Sequence, residues 1–394
     1  MKPALTVTPL DEALELFFNT GLMTPKQVRL ATTEAWSHVL AEPVMAVADS
    51  PSYDSCAMDG IAVIAAHCTT ASPERPLHLT DYVRVNTGHP LVSPYDSVVM
   101  IEAVQLSDDG VATLTSTVTK GQHVRHRGED MVAGHPILPQ NHRLSAIDLG
   151  ALLSGGVAAV TVYAKPQVAV IATGSELIDV TQFDPAILGQ VVESNSYMLE
   201  ALLHEHHVSS QRYAKVDDDL DSLTATLQEA AASSDLIILS AGTSAGTHDY
   251  TAQAIQAIGE VVVHGLALRP GKPAILGYIG TTPVVGLPGY PVSAYVVFQA
   301  LVVPLLHRLY PADEPQPMVQ AKLAKRIVSS FKQQEYLRVS LSQDETQQWI
   351  ATPLPKQVGS TLSLVTSHGF LVIPRLCEGI EAGETVPIHL HRPH

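Results

Sequence analysis

The segment "SDLIILSAGTSAGTHDYTAQAIQAIG", residues 234–259, decides the fold that we predict. An apolar run typical of a buried strand leads into a turn of small and hydroxyl residues, and a helical pattern follows. The run "QVAVIAT" (167–173) is also typical of a buried strand, and Gly174 and Ser175 follow it. The run "PVVGLPGYPVSAYVVFQALVVPLLHRL" (283–309) passes from a strand through a Pro/Gly turn into a long helix. Strands that alternate with helices predict a doubly wound parallel sheet over residues 168–310, with both faces covered.

The remainder of the chain has other patterns. We expect helices at the N-terminus, with a break from Gly21 to Pro25, and an irregular β-rich domain where short alternating runs meet many prolines and glycines. A helix and strand then lead back towards the α/β domain, and a small β-domain ends the chain. The predicted boundaries are 1–42, 43–145, 146–167, 168–310 and 311–394.

Composition excludes several classes of protein. The formal net charge of −16 over 394 residues argues against a nucleic-acid binder. The three cysteines, Cys56, Cys68 and Cys377, form no C-x-x-C pair, so we predict neither a disulfide framework nor a cysteine zinc site. We therefore expect the protein to work in a reducing cytoplasm. The N-terminus lacks the apolar core of a signal peptide. The run at residues 293–306 is interrupted by Gln299 and Pro304 and is too short to span a bilayer.

Three strand ends carry glycine-containing turns: "TGSE" (173–176), "SAGTSAGTHD" (240–249) and "GLPGYPVS" (286–293). In an open α/β sheet, ligands bind beyond the carboxyl ends of the strands. Glycine allows backbone N–H groups to approach a ligand, and the start of a helix favours negative charge. The turns therefore favour a phosphate or another oxyanion, although each could merely close a βα connection.

Charged residues cluster in four short segments. Arg269 and Lys272 flank a Pro-Gly turn in "ALRPGKPAI", where both could hold an oxyanion. Acidic residues occur in "SCAMDGIAV", "RHRGEDMVAG" and "KVDDDLDS". A triple-aspartate run is typical of a solvated helix start, but beside a polyphosphate it could hold Mg²⁺. The cluster "HEHH" (204–207) indicates a solvated helix face.

The segments "SCAMDGIAV", "VNTGHPLV…YDSVVMIE", "VRHRGEDMVAGHPIL", "VAVIATGSEL", "SAGTSAGTHDY", "LRPGKPAILG" and "VGLPGYPVSA" occur in this order. Together they resemble the MoeA family, the molybdopterin molybdenumtransferases that include the E domain of gephyrin. The resemblance implies a MogA-like α/β domain, a small linking domain and a C-terminal β-barrel-like domain. It implies insertion of molybdate into adenylyl-molybdopterin with release of AMP, in the presence of Mg²⁺.

The resemblance also assigns site residues where the motifs match. It implies these catalytic carboxylates: Asp59, Asp130, Glu176, Asp218 and Asp249. Metal ligation falls to Asp59, Asp218 and Asp249, with a one-residue ambiguity at Asp218. The implied substrate-binding residues are Thr87, Ser244, Gly246, Arg269, Lys272, Pro288, Pro291, the helix-capping Ser293, and, by looser matches, Arg338 and Ser360.

The chain departs from the usual family pattern at four positions of the site. Ala241 replaces a serine, Thr243 a glycine, Arg269 a lysine and Tyr290 an asparagine. These departures leave the metal preference, molybdate or tungstate, open. The family further implies a homodimer and contact with a molybdopterin adenylyltransferase, without nucleic acid or membrane. Two alternatives stay open: a non-catalytic pterin-binding scaffold, and a molybdopterin adenylyltransferase, which shares only the glycine-rich motif.

Overall fold

The chain forms two compact units, which we describe separately. The computed structural model describes residues 7–241, 250–313 and 316–391. One unit comprises Met1–Gln27 and Tyr163–His394, and the other comprises Val28–Val162. The first helix of the larger unit, α1, spans Leu10–Phe18 and buries Ala13 and Phe17.

The expected second helix before residue 42 is wrong. Residues Gln27–Ala31 form strand β1, which pairs with Ala159–Tyr163, the strand that we number β12. Thr32, which follows β1, is bonded to the residues just before β12. Its backbone N–H donates to Ala158 O at 3.0 Å, and its hydroxyl donates to Val157 O at 2.7 Å. A partner strand more than 120 residues away therefore determines the conformation of this segment, and tertiary pairing overrides local preference.

The smaller unit contains the irregular β-rich domain that the sequence predicts. Two three-stranded sheets, of order β6-β4-β7 and β5-β9-β8, enclose a core that includes Ile61, Val99 and Leu114. Shorter pairs join β10 to β3 and β11 to β2. The strands are β2 Val44–Met45, β3 Ser55–Cys56, β4 Gly60–Val63, β5 Leu77–Leu79, β6 Val83–Val85, β7 Ser97–Met100, β8 Val104–Leu106, β9 Ala112–Leu114, β10 Val124–Arg125 and β11 Pro136–Leu138.

Helix α2, Ala146–Ser154, begins with a capping box. The Ser145 hydroxyl accepts from the Asp148 backbone N–H at 3.4 Å, and the Asp148 carboxylate accepts from the Ser145 backbone N–H at 2.7 Å. Two donors at the start of the helix are thereby satisfied. The helix buries Leu152 in a core with Leu40, Leu144 and β12.

The larger unit contains a six-stranded sheet of order β16-β13-β17-β21-β20-β18. The pairs β16–β13, β13–β17 and β17–β21 are parallel, whereas β21–β20 and β20–β18 are antiparallel. The predicted parallel sheet is thus confirmed, with an antiparallel edge. The strands are β13 Gln167–Ala172, β14 Leu177–Ile178, β15 Val191–Val192, β16 Ser209–Arg212, β17 Leu236–Ala241, β18 Glu260–His264, β19 Leu268–Arg269, β20 Ile275–Ile279 and β21 Thr282–Pro288.

Helices cover both faces of this sheet, as a doubly wound fold requires. One face packs against α1 and three further helices, in a core that includes Phe17, Leu203 and Phe298. The other face packs against two helices through Leu223, Leu227 and Ile255. The helices of this domain are α3 Asn195–Glu205, α4 Leu220–Ser233, α5 Tyr250–Ile258, α6 Pro291–Val297 and α7 Val303–Leu309.

Helices α6 and α7 are joined without a break by the π-helical segment Phe298–Val302. By length and mean hydropathy alone, the whole segment Pro291–Leu309 is long and apolar enough to cross a membrane. The helix is thus longer than the apolar run at residues 293–306, which we expected to be too short to span a bilayer. Its most apolar window is 72% buried inside the protein. The segment therefore serves as the central helix of the core described above.

The C-terminal domain is a barrel, as predicted. Strands β24, β25, β22, β28 and β26 follow one another around it, and the β24–β26 pairing closes the ring. Its interior includes Leu337, Val339 and Ile388. The elements are β22 Met318–Leu323, β23 Ile327–Val328, β24 Gln334–Gln343, β25 Trp349–Pro353, α8 Thr361–Val365, β26 Gly369–Ile373, β27 Gly379–Ile380 and β28 Thr385–Leu390. Strand β19 of the preceding domain pairs in parallel with β24 and so joins the two domains.

Candidate active site at the strand ends and the cationic cavity

The carboxyl ends of β13, β17 and β21 lie side by side. Ala172 is paired with Ser240, and Ala241 with Pro288. The Thr173 backbone N–H extends this ladder by donating to Ser240 O at 3.0 Å. The three turns that the sequence predicts to bind an anion therefore begin at one edge of one sheet, the usual ligand position in such folds.

Asp218 is the member of the triple-aspartate run that contacts this edge. Its carboxylate accepts from the Ser175 backbone N–H at 3.2 Å and from the Thr173 hydroxyl at 3.4 Å, and its own N–H donates to Ser175 Oγ at 3.1 Å. Asp217 instead pairs with Lys215 at 2.6 Å. Asp219 caps α4, and the Ser222 hydrogen bonds lower the pKa of its carboxyl. The chosen aspartate is thus the one bonded to the strand-end turn.

Glu176 lies in the same turn, with its carboxylate folded over Gly174. Gly174 has φ of +151°, which favours glycine, and a Cβ there would lie 2.8 Å from Glu176 Oε2 at the end of a flexible side chain. Glu176 and Ser175 line a cavity of about 460 Å³, whose wall also includes Arg212 and Tyr197. The Arg212 guanidinium lies 3.9 Å from the centre of the Tyr197 ring. This cavity could admit the polar part of an organic substrate.

The turn after β21 contains Pro288, Pro291 and Ser293. Helix α6 begins at Pro291 with Tyr290 as its N-cap residue, so the prediction of Ser293 as helix cap is wrong. The reason is Pro291, whose missing N–H costs nothing in the first helical position. Ser293 lies in the first turn and is buried. The Asn195 amide donates to Gly289 O at 2.8 Å and so ties the start of α3 to this turn.

The loop with Arg269 and Lys272 closes against the barrel. Arg269 donates through Nη1 to the hydroxyl of Ser330. Lys272 is exposed, and its carbonyl accepts from the Leu266 backbone N–H at 2.8 Å. Between them, Gly271 has φ of +120°, and a Cβ there would lie 2.6 Å from Val297 of α6. Only glycine allows this close approach of the basic loop to the helix.

Arg338 lies in the barrel wall, 3% exposed, with its donors directed at the loop after β25. Its Nη2 donates to Pro355 O at 2.6 Å and to Gln357 O at 2.7 Å, and its Nη1 to the Ser363 hydroxyl. Burial lowers the pKa of the guanidinium. Ser360 is the N-cap residue of α8, without a side-chain cap bond. Arg338 thus supports the loop that carries Ser360.

A small cavity brings several of these residues together. Arg269, Pro270, Val292, Arg338 and Val358 are among the residues that line it, and its volume is about 30 Å³. The Val292 backbone N–H donates to Val358 O at 3.3 Å, which joins the β21 turn to the barrel loop. The Tyr290 ring lies against Gly359, since a Cβ there would be 3.6 Å from Tyr290 Cδ1. The cavity is compact and cationic, which suits a small oxyanion.

In the smaller unit, Asp59 and Thr87 form one arrangement. The Asp59 carboxylate accepts from the Thr87 backbone N–H at 2.6 Å and from the Thr87 hydroxyl at 3.0 Å. These two bonds lower the pKa of the carboxyl. Asp130 is also exposed, but it lies in another loop. Its backbone N–H donates to Ser50 O at 3.0 Å. The structure thus joins Asp59 to Thr87 and leaves Asp130 in its own loop.

Other predicted residues lie outside the described part of the chain. They are Ser244, Gly246 and Asp249, together with the departure at Thr243. Among the described residues, no group of three or more His, Cys, Asp or Glu side chains could hold a metal ion. Mg²⁺ prefers one or two carboxylates together with phosphate oxygens and water. The carboxylates that the structure describes would therefore fit Mg²⁺ together with oxygen ligands from a bound phosphate-containing substrate.

Comparison with known proteins agrees with this architecture. Three family models match: the MoeA N-terminal region (domain I and II) over residues 8–156, a molybdopterin-binding domain described as probable over 169–308, and the MoeA C-terminal region (domain IV) over 320–391. The molybdopterin molybdenumtransferase of Haemophilus influenzae is 30% identical, over 90% of this chain and 91% of the relative. This chain belongs to the MoeA family.

Other MoeA relatives extend over similar lengths. Molybdopterin molybdenumtransferase 2 of Mycobacterium tuberculosis is 30% identical over 92% of this chain and 95% of its own. A crystal structure of the molybdopterin biosynthesis MoeA protein from Pyrococcus horikoshii superposes with a TM-score of 0.84 at 29% identity, covering 99% of this chain and 100% of the other. A second structure from that organism gives 0.75 at 26% identity, covering 98% and 100%. The predicted family and fold are confirmed, and they indicate a role in molybdenum cofactor biosynthesis.

Sequence reasoning missed several charged side chains of the two cavities, among them Arg212, Glu335 and Lys356. Arg212 stands three residues from Lys215, and Lys356 stands three residues from Gly359, but neither segment carries one of the motifs that point to the site. Their partners are distant in sequence, as with Lys356 and Glu335, whose charged atoms lie 2.6 Å apart. Glu335 is the second residue of β24, whose sequence is QEYLRVSLSQ, so the local pattern does not mark it as a buried carboxylate that requires a partner.

Proposed function

We propose that this chain is a molybdopterin molybdenumtransferase, which inserts molybdate into adenylyl-molybdopterin and releases AMP. One observation carries the proposal. In a single unit, the β13 turn that carries Glu176 and binds Asp218 lies at the same end of the sheet as the β21 turn, with β17 between the two strands. Val292, just after the β21 turn, lines a cavity together with Arg269 and Arg338. The reaction needs both parts, a place for a phosphorylated pterin and a place for a compact oxyanion.

The chain's own residues would bind and orient the two substrates. Arg269 and Lys272 project from a loop fixed by Gly271, and fixed cations bind an oxyanion with little loss of side-chain freedom. Asp218 is held by two donors of the β13 turn, so its carboxylate is oriented before any substrate arrives. Asp59, Asp130, Ser244, Gly246, Asp249, Pro288, Pro291, Ser293 and Ser360 stay assigned by family resemblance.

Mg²⁺ is part of this proposal. The family resemblance assigns Mg²⁺ ligation to Asp59 and, separately, to Asp218 and Asp249, in each case together with substrate oxygens, where the ion would offset negative charge on the pyrophosphate. The Asp59 carboxylate is exposed and uses one oxygen for both bonds from Thr87, which leaves the other oxygen for a ligand.

We also propose that the chain forms a homodimer. In the smaller unit, Ile147 of α2 is 84% exposed and Val47 is 69% exposed, and Val47 N–H donates to Gly155 O just beyond that helix. Ile147 lies at the start of α2 and Val47 beside its end, and a second copy of the chain that extends along this helix would cover both. Ile147→Asp should then halve the mass measured by light scattering.

A cytoplasmic location and contact with a molybdopterin adenylyltransferase belong to the same proposal. The adenylylated pterin must come from an adenylyl-transfer reaction, so direct contact with that enzyme would shorten the path of a labile substrate. Cross-linking of the two purified proteins would show such contact.

The decisive experiment incubates the protein with adenylyl-molybdopterin, Mg²⁺ and molybdate and measures AMP. Release that depends on molybdate supports the proposal. Retained pterin binding without AMP would instead favour a scaffold. Consumption of ATP with unadenylylated molybdopterin would favour an adenylyltransferase. A parallel titration with tungstate measures the metal preference.

A further inference from the structure

Glu335 is a buried carboxylate at the base of the small cationic cavity. It is 2% exposed, and its Oε1 lies 2.6 Å from the ammonium of Lys356. Its Oε2 accepts from the Ser329 hydroxyl at 3.1 Å and from the Ser330 backbone N–H at 3.2 Å. A buried charge with this many partners fixes the groups around it, because leaving it unpaired would be costly.

The same carboxylate also acts on Arg269. Ser330, whose N–H is held by Glu335, accepts a hydrogen bond from Arg269 Nη1 through its hydroxyl. Arg269 and Glu335 are also direct partners in the β19–β24 ladder. Glu335 therefore holds Lys356 directly and Arg269 through Ser330.

The donors of Lys356 are only partly used. Its ammonium donates to Glu335 and, at 3.0 Å, to Val328 O, which leaves one of its three donors. The side chain is 38% exposed and lines the cavity. By contrast, Arg338 directs its bonds at Pro355, Gln357 and Ser363.

Charge in the cavity supports a ligand contact by Lys356. Arg269, Arg338 and Lys356 are cationic and Glu335 is anionic, so the lining carries two net positive charges. That matches a doubly charged oxyanion such as molybdate. Without Lys356, Glu335 would cancel half of the charge supplied by the two arginines.

We propose that Lys356 is a further oxyanion-binding residue of this cavity, and that Glu335 is the positioning residue that holds Lys356 and Arg269 for the anion. The identity of the anion as molybdate rests on the function proposed above. Lys356 donates one hydrogen bond to the anion, while Glu335 does not touch it.

The test measures molybdate binding by titration calorimetry, with no pterin present, and separately the molybdate dependence of AMP release. Lys356→Gln should weaken molybdate binding about tenfold, the effect of losing one charge-assisted hydrogen bond. The molybdate concentration needed for half-maximal AMP release should rise by a similar factor, and Lys356→Arg should recover part of the affinity. Lys325→Gln is the matched control, because Lys325 is an exposed lysine of the same barrel.

Glu335→Gln separates positioning from charge. The variant retains an acceptor for Ser330 but makes the cavity more positive, which by charge alone would tighten molybdate binding. We expect weaker binding instead, because Lys356 and Arg269 lose their fixed arrangement. Tighter binding would overturn the positioning role, and wild-type affinity in a folded Lys356→Gln protein would overturn the ligand role. A wild-type protein that binds molybdate but releases no AMP would contradict the proposed function alone, whereas one that binds no molybdate would overturn this inference.

Discussion

Asp59 accepts both hydrogen bonds that Thr87 can donate, from the backbone N–H at 2.6 Å and from the hydroxyl at 3.0 Å. The two residues are 28 positions apart, and each was assigned to the site from a separate motif. The bonds favour the ionised carboxylate, which lowers its pKa. Asp59 is thus held as an oriented anion at the protein surface.

Replacement of Asp59 by Asn should nearly abolish AMP release and leave the fold intact. The amide keeps the shape and can still accept from Thr87, but it lacks the charge proposed to act on Mg²⁺ or on the pyrophosphate. AMP formation over time measures the effect, and circular dichroism checks the fold. A folded variant with full activity would remove Asp59 from the mechanism.

The ionisation of Asp59 should depend on Thr87. Because the folded pKa is lowered, the stabilisation from this carboxylate is present above the ordinary value of about 3.9 and is lost as the pH falls through the lowered one. Asp59 should therefore cause no loss of activity between about pH 7 and pH 5. Thr87→Val removes the hydroxyl bond and should raise the pKa, which carboxyl ¹³C NMR titration would record. An unchanged titration would show that the hydroxyl bond does not matter in solution.

Asp218 and Asp217 should differ sharply when each is replaced by Asn. Asp218 is bonded to the β13 turn, whereas Asp217 pairs with Lys215 on the surface. Asp218→Asn should slow AMP release by about tenfold or more, a barrier increase of about 1.4 kcal/mol. Asp217→Asn should retain activity close to wild type, since exposed ion pairs contribute little. Equal losses in the two variants would contradict the assignment of Asp218.

Arg269 and Lys272 should determine the molybdate requirement. The double variant Arg269→Ala/Lys272→Ala should need about tenfold or more molybdate for half-maximal AMP release, because a charged hydrogen bond is worth about 1.5–3 kcal/mol. Assays over a molybdate series at fixed adenylylated pterin provide the measurement. An unchanged half-maximal concentration would move the oxyanion site elsewhere.

Arg338 should affect stability as well as activity. Its guanidinium is buried and bonded to Pro355 O and Gln357 O, so Arg338→Met leaves these carbonyls without that donor. We expect a loss of about 1–3 kcal/mol and a lower Tm. Arg269→Met, at an exposed position, should lower the Tm much less. Equal Tm values for the two variants would show that the Arg338 bonds do not support the loop.

Much of the fold could be predicted because its signals are local. The apolar runs of β13, β17 and β21 and the turns after them are continuous segments, and their order implied that the turns meet at one edge. Predictions failed where a distant partner decided the outcome. Residues 27–31 form a strand because β12 lies beside them, and Pro291 rather than Ser293 determines where α6 begins.

The candidate site shows the same division. Motifs drew attention to Asp218, which is bonded to the β13 turn, and to Arg269, at the end of β19, but no motif indicated what holds them. The bond from Ser175 to Asp218 and the chain from Glu335 through Ser330 to Arg269 join segments that are 43 and about 60 residues apart. Such pairings depend on how strands are arranged in space, and a single sequence does not contain that arrangement explicitly.

The parallel pairing of β19 with β24 limits how this protein could be rearranged by recombination. The loop with Arg269 and Lys272 precedes the long core helix in the sequence. The strand that leads into this loop, β19, nevertheless pairs with β24 of the barrel, which follows that helix in the sequence. An ancestor that exchanged its last 80 or so residues for another barrel would have had to reproduce the edge that receives Leu268 and Arg269. The two coding regions are therefore expected to be inherited together, even though each encodes a compact domain.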